Sequence, residues 1–179
     1  MPVVVSGPPA VRRAARPLSI IVRHTLAAES RTCGELTVVF ARDAELRELN
    51  RRWRGIDRAT DVLSFSYHGQ GEPQKSRAAK RIDGDLVISL DRLAAQARRF
   101  RVSVGEELAR LVIHGSLHLA GLDHHRPAER RHMRAREEAA LAACGAATKA
   151  LDRILTGAAP RTARRNARVA RVTRTGGNR

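Results

Sequence analysis

Three histidines stand at close and regular spacing in the segment H-G-S-L-H-L-A-G-L-D-H, residues 114–124. On a helix, His114 and His118 project from one face about 6 Å apart along the axis, because four residues turn about 400°. Gly121 can end that helix in the left-handed conformation. The chain can then turn back and bring His124 to the same point. The spacing therefore predicts that three imidazoles bind one metal ion.

Three nitrogen donors favour zinc, one ion per chain, at metal–nitrogen distances of about 2 Å. A structural zinc site usually has four protein ligands, often with cysteine among them. The two cysteines, Cys33 and Cys144, lie far from residues 114–124 in the sequence. An open fourth position is therefore expected, which indicates catalysis. His125 is an alternative to His124 as third ligand, although it lacks the spacing that the glycine sets.

The spacing H-x3-H-x5-H is also that of the metzincin proteases, which carry glutamate directly after the first histidine as a general base. Here Gly115 occupies that position and can neither take nor give a proton. Zinc lowers the pKa of a bound water to about 7 by itself, but peptide hydrolysis would lack its usual proton shuttle. A minimal metzincin-like metalloprotease is therefore only an alternative hypothesis.

The charge of the chain points to a polyanionic partner. Lys plus Arg outnumber Asp plus Glu by 34 to 18, a formal net charge of +16. Most of these cations are arginines, whose planar fork suits phosphate, so nucleic acid or ribosome is the first expectation. Codon usage in a GC-rich genome is the alternative explanation. Two cysteines without CxxC spacing fit a reducing cytoplasm, and no apolar run approaches the roughly 18 residues of a membrane span.

The elements that must position these residues alternate along the chain. Apolar spacing and capping residues, including Asp43, Asp91 and the capping box Ser103-x-x-Glu106, predict both strands and helices. The strands are predicted at 3–5, 35–40, 61–66 and 86–90, and the helices at 18–28, 43–53, 91–100, 103–121 and 127–144. This order predicts an α+β fold: a small mixed β-sheet of about four strands covered by helices, with the metal site on a helix and the turn after it.

The ends of the chain differ in composition from the middle. Residues 1–17 carry three arginines and no acid, and residues 157–179 carry seven arginines and no acid. Such a stretch has too little apolar surface to offset the entropy of ordering. We expect a partly flexible basic segment over 1–17, a single metal-binding catalytic domain over 18–150, and a disordered basic tail over 151–179.

Two further motifs accompany the histidine segment. T-D-V-L-S-F lies at 60–65, preceded by N-R-R-W-R at 50–54, and a weaker G-D-L-V-I-S lies at 84–89. In order and spacing, residues 35–145 resemble the YbeY endoribonucleases, also called rRNA maturation factors. Ala59 stands where that family commonly has proline, and Leu122 replaces an aromatic residue.

The resemblance implies a zinc-dependent, single-strand-specific endoribonuclease with roles in maturation of the 16S rRNA 3′ end and in late-stage ribosome quality control. Its partners would be single-stranded RNA, ribosomal RNA and the ribosome. The zinc ligands of the family fall on His114, His118 and His124, and its functional arginine falls on Arg54. That arginine could bind a phosphate bidentately where charge develops.

Two acids are candidates for supporting roles. Asp123 could orient an imidazole, cap the turn after Gly121 or act as a general base, in that order of preference. Asp85 could point into the site or shape the start of a strand. The main alternative to the enzyme is a ribosome-assembly factor whose zinc site is mostly structural.

Overall fold

The computed structural model describes residues 3–67, 80–124 and 126–157. In this part of the chain, seven helices pack on a four-stranded sheet. The elements in chain order are β1 (Val4–Ser6), α1 (Pro9–Arg12), α2 (Ala15–Ala28), β2 (Thr32–Ala41), α3 (Asp43–Arg54), β3 (Val62–Ser66), β4 (Arg81–Ser89), α4 (Leu90–Phe100), α5 (Val104–Leu119), α6 (Pro127–Ala143) and α7 (Gly145–Gly157).

The sheet is mixed, as predicted, with the strand order β1-β2-β4-β3. Strands β1, β2 and β4 are parallel, and the edge strand β3 runs antiparallel to β4. Strand β4 begins at Arg81, five positions before its predicted start at 86. The polar residue Asp83 hid this extension, because its buried carboxylate is satisfied by the Arg81 guanidinium and the Glu35 amide.

The two faces of the sheet carry different helices because successive side chains of a strand point to opposite faces. Leu86 and Ile88 of β4 belong to the main core, together with the apolar residues of α2 and α5. Val87 points the other way and packs with Leu46 of α3 and Leu63 of β3. The histidine helix α5 and helix α3 therefore lie on opposite faces of the sheet.

Two predicted helix caps are wrong in detail. The N-cap of α3 is Arg42, and Asp43 instead accepts the Ser89 hydroxyl at 2.6 Å. The N-cap of α4 is Ser89, which accepts the amide of Arg92, whereas Asp91 accepts the amide of Asp43. The two aspartates thus join the N-termini of α3 and α4, a tertiary arrangement that no local pattern contains.

The chain ends contribute more structure than their composition suggested. Val3, Val11 and Ala14, which lie in the segment expected to be partly flexible, are buried in the main core. Helix α7 continues to Gly157 and buries Leu151 completely, so it runs across the expected boundary at residue 151. The tail expected beyond it, residues 158–179, lies outside the described residues. No helix in the described part is both long and apolar enough to cross a membrane.

Candidate metal centre

Helix α5 carries the first two histidines on one face, as its spacing predicted. The helix begins at its Ser103 cap, whose hydroxyl accepts the Glu106 amide at 3.0 Å. It ends in a tight turn, in which the Leu122 amide donates to the Leu117 carbonyl and Gly121 adopts a φ of +96°. Only glycine adopts such a conformation readily. This turn brings the chain back toward the helix.

The turn brings all three imidazoles together. The Nε2 atoms of His114 and His118 face each other at 3.1 Å, and the three ring centroids are 4.6, 4.9 and 5.4 Å apart. One potential ligand atom from each ring lies within 4.8 Å of the others. Tetrahedral zinc places neighbouring nitrogen ligands about 3.3 Å apart, given metal–nitrogen distances of about 2.0–2.1 Å. The cluster His114, His118 and His124 therefore fits a zinc ion with small adjustments.

The charge state of His118 also suits metal binding. Burial lowers the pKa of His118 to about 4, with smaller contributions from the neighbouring His114 and His124. At neutral pH the ring is therefore uncharged and offers a lone pair to a cation. Cys33 and Cys144 are both free thiols and lie outside the cluster.

A glutamate that the sequence analysis missed supports the first histidine. The Glu137 Oε1 atom lies 2.7 Å from Nδ1 of His114. If Nδ1 carries the proton and donates it to this carboxylate, the lone pair of Nε2 faces the other histidines, which is how outer carboxylates commonly orient metal ligands. Met133 is buried four residues earlier on α6. Because Met133 and Glu137 are four residues apart, the sequence places both on one face of α6. The sequence gives no sign, however, that this face packs against His114.

The glycine after the first histidine has a packing role. A Cβ atom at position 115 would lie 2.8 Å from Leu86 Cδ2 and 3.1 Å from Ser64 Oγ. The Ser64 hydroxyl donates to the Gly115 carbonyl at 3.2 Å, which ties β3 to α5. A glutamate side chain at 115, as in the metzincin pattern, would start against the sheet. Gly115 thus lets the histidine helix approach the sheet closely.

Only one of the two acids proposed from the sequence lies at the cluster. Asp123 Oδ1 accepts the His124 amide at 2.7 Å and lies 3.8 Å from Nδ1 of that ring. Asp85 instead accepts the Tyr67 hydroxyl at 2.7 Å. Its side chain shares the sheet face of Val87, away from α5, so the structure does not bring Asp85 to the histidines.

Two cavities open beside the cluster. The smaller, of about 150 Å³, is lined by Asp61, Arg110, Leu111, His114 and Glu137. The larger, of about 470 Å³, is lined by His114, His124, Pro127, Arg130, Arg131, Met133, Arg134 and Glu137. The side of the cluster that faces α6 is therefore open and rich in arginine.

Comparison with known proteins decides the family. A family model described as Endoribonuclease YbeY matches residues 11–145, about three quarters of the chain. The chain belongs to the YbeY family. The resemblance that the motifs at 50–65 and 114–124 indicated is thereby confirmed.

Individual relatives agree with this assignment. A protein named Endoribonuclease YbeY from Anaeromyxobacter sp. (strain Fw109-5) is 48% identical over 134 residues, which cover 75% of this chain and 66% of the relative. One of the same name from Roseiflexus castenholzii is 46% identical over 112 residues, which cover 62% of this chain and 70% of the relative. The chain thus spans just under two thirds of the first of these relatives.

A solved structure shares the fold of this YbeY family member. The solution structure of TM1509 from Thermotoga maritima matches with a TM-score of 0.55 at 24% sequence identity. The match covers 79% of this chain and 88% of the other. The likeness supports the arrangement of helices around a small mixed sheet.

The arginine that the YbeY resemblance singled out is not among the residues that line the two cavities. Arg54 is the last residue of α3, on the sheet face opposite α5, and its side chain is exposed. It lines neither of the two cavities beside the histidines. The arginines that the structure does bring to the cluster come from α5 and α6. A catalytic role for Arg54 stays a prediction.

Proposed function

We propose that this chain is a zinc-dependent, single-strand-specific endoribonuclease that acts in the cytoplasm on ribosomal RNA. Its role would be maturation of the 16S rRNA 3′ end and late-stage ribosome quality control. The observation that carries the proposal is the three-histidine cluster open to an arginine-lined cavity, in a member of the YbeY family. A cavity of that charge suits a phosphodiester substrate better than a peptide.

Each residue of the candidate site would have its own role in binding the metal ion or the RNA. His114, His118 and His124 would hold the ion, and Glu137 would fix the orientation of His114. A bound zinc ion would supply Lewis acidity, which polarises a phosphate oxygen and lowers the pKa of water. Arg54 lines neither cavity, so it would bind a phosphate outside them.

The packing of Gly115 argues against a protease. A metzincin-like enzyme needs a carboxylate beside the first histidine that takes and returns a proton. At position 115 a side chain would meet Leu86 and Ser64 within about 3 Å of its first carbon. The site therefore lacks the residue on which peptide hydrolysis would depend.

The test is cleavage of a single-stranded RNA that carries the 3′ end of 16S rRNA. Wild type, His114→Ala and Arg54→Ala are compared, with Arg98→Ala, an exposed arginine on α4, as the matched control. We expect His114→Ala to abolish cutting and Arg54→Ala to slow it by about 10²-fold, the usual effect of losing one charge-stabilising donor. Arg98→Ala should cut like wild type.

A separate experimental result would contradict each part of the proposal. If purified wild type cuts no better than His114→Ala, the chain is not an endoribonuclease of this kind. If Arg54→Ala matches Arg98→Ala, Arg54 has no role in cleavage. Metal analysis of the same samples should find one zinc per wild-type chain, and wild type without stoichiometric metal would refute the metal centre.

A further inference from the structure

Helix α6 presents a stripe of arginines to the larger cavity beside the histidines. Positions 127, 130, 131, 134 and 137 follow one another at intervals of three, one, three and three residues, so they share one helix face. All five line that cavity together with His114 and His124. We call Arg130, Arg131 and Arg134 the arginine stripe. It runs from the turn that carries His124 toward Glu137.

The stripe differs from the arginine that anchors the same helix. Arg136 donates to Glu29 Oε1 at 2.6 Å and to the Ala28 carbonyl at 2.8 Å, so its charge is used to hold α6 against α2. Arg131 and Arg134 are exposed, and within the described residues their side chains form no ion pair or hydrogen bond. Their guanidinium groups therefore remain available to an external anion.

The third arginine of the stripe, Arg130, also lines the cavity. Arg130 Nη1 donates to the His124 carbonyl at 3.4 Å, which places this end of the stripe beside the metal centre. Of the acids on this face of α6, Glu137 lines the cavity and its Oε1 atom is already engaged by His114, whereas Glu138 is not among the residues that line it. The cavity lining keeps a net positive charge, because three arginines face one carboxylate, so the cavity attracts anions.

We infer that Arg131 and Arg134 bind backbone phosphates of single-stranded RNA next to the phosphate held at the histidines. The guanidinium fork matches a phosphate bidentately, and such contacts position a strand without reading its bases. The cavity, at about 470 Å³, lies in the range of about 300–1,000 Å³ that is typical of ligand sites. The inference rests on the proposed function for the identity of the polyanion.

The experiment measures binding of full-length, zinc-loaded protein to a fluorescent single-stranded RNA of about 15 nucleotides, long enough to span a typical site. Its linkages are phosphorothioates, which keep the backbone charge and resist cleavage. Anisotropy gives the affinity at several salt concentrations, and a gel confirms that the strand is intact. The variant is Arg131→Gln/Arg134→Gln. The matched control is Arg12→Gln/Arg13→Gln, which removes the same charge from α1 and its C-cap, beside β1 at the opposite edge of the sheet from β3.

Each lost phosphate contact should reduce the slope of log affinity against log salt by about 0.7, so the stripe variant should lose about 1.4. The stripe variant should therefore bind about 25-fold more weakly than wild type at 0.1 M salt, and the two affinities should converge near 1 M salt. Because the positions are exposed and glutamine is a good helix former, the melting temperature should not change. The control should retain a slope within experimental error of wild type.

The outcomes separate this inference from the proposed function. Equal slopes for the stripe variant and the control would overturn the phosphate contacts, even if wild type cuts RNA efficiently. A reduced slope in the stripe variant alone would support them. If that reduction occurs in a protein that cuts no RNA, the proposed function fails while the inference on the arginine stripe stands.

Discussion

The carboxylate of Glu137 meets Nδ1 of His114 at 2.7 Å, and both side chains are about 30% exposed. A contact of this length between a carboxylate and an imidazole fixes the ring plane and selects the tautomer that donates from Nδ1. The opposite nitrogen, Nε2, then faces His118. The orientation of the His114 ring thus depends on a residue from another helix.

We predict that Glu137→Gln weakens zinc binding by about 10- to 100-fold, the usual cost of removing an outer partner of a metal-binding histidine. The amide keeps the shape of the side chain but carries no charge to raise the basicity of the ring. Competition with a chromophoric chelator gives the affinity. The control is Glu138→Gln, an exposed acid one position further along α6. Equal zinc affinity in both variants would mean that Glu137 does not support the metal centre.

Glu107 is a buried acid without an evident use. Its side chain lies on α5 with only 4% of the residue exposed, and within the described residues its Oε2 atom has no hydrogen-bond partner. Burial raises the pKa of this carboxyl above its usual 4.5, and the nearby Asp61 adds to the shift, while Arg110 opposes it. The folded chain therefore holds this proton more tightly than the unfolded chain does.

It follows that stability falls as pH rises from the unfolded pKa of Glu107 to its higher folded value, and the loss is complete above the latter. We predict that Glu107→Gln raises the free energy of unfolding at pH 7.5 by roughly 1 kcal/mol, because no buried charge remains without a partner. Near pH 4 the two proteins should be equally stable. Urea unfolding at both pH values measures the difference. A gain of the same size at both would show that ionisation of Glu107 is not the cause.

The placement of helix α5 depends on its contact with the sheet. Gly115 leaves room for Leu86 and Ser64, so that the backbone of α5 lies close to β3 and β4 at the turn that carries His114. The Ser64 hydroxyl bonds the Gly115 carbonyl there. A helix that moved away from the sheet would carry His114 and His118 with it. Sheet packing and the geometry of the histidine cluster are therefore coupled at this glycine.

We predict that Gly115→Ala lowers the free energy of unfolding by about 1–3 kcal/mol, the usual cost of overpacking a core. Its new methyl group would approach Leu86 Cδ2 to 2.8 Å. The control is Gly145→Ala at the start of α7, where a Cβ atom meets nothing within 4 Å. Gly145→Ala should leave the free energy of unfolding unchanged or raise it by up to about 1 kcal/mol, because alanine favours the helical conformation over glycine. Chemical denaturation compares the two, and an equal effect would contradict the close packing inferred for Gly115.

The positive charge of the chain is distributed unevenly. Residues 158–179 carry seven of the arginines and no acid, and they follow directly on α7. The histidine cluster and the core lie within the described residues before them. Binding of RNA through this tail would be electrostatic and without base preference.

We predict that deleting residues 158–179 lowers RNA affinity and the salt slope, but leaves zinc affinity and melting temperature unchanged. Each phosphate contact contributes about 0.7 to the slope, so seven arginines set an upper limit of about 5 on the loss. The same anisotropy titrations measure it. A slope identical to that of the full chain would remove the tail from RNA binding. A lower melting temperature would show that the tail packs on the domain.

The features that could be predicted from the sequence are those set by interactions between residues close together in the chain. The three histidines and Gly121 lie within 11 residues, and helical period and turn conformation act over that distance, so the cluster follows from local rules. The mixed sheet and most element positions followed from apolar spacing for the same reason. The family, and with it the expected RNA substrate, came from resemblance rather than from physical chemistry.

Only the tertiary structure decided which distant side chains meet the histidines. It brought Glu137 and the arginine stripe from α6 to the cluster, and it placed Asp85 and helix α3, which ends at Arg54, on the other face of the sheet. It also showed that Gly115, which the sequence analysis used only as a missing base, lies where the helix packs closely against Leu86 and Ser64 of the sheet. Such pairings depend on how separate helices and strands pack against one another. Local spacing carries no information about that packing, whereas the sequence alone was enough to predict that His114, His118 and His124 come together.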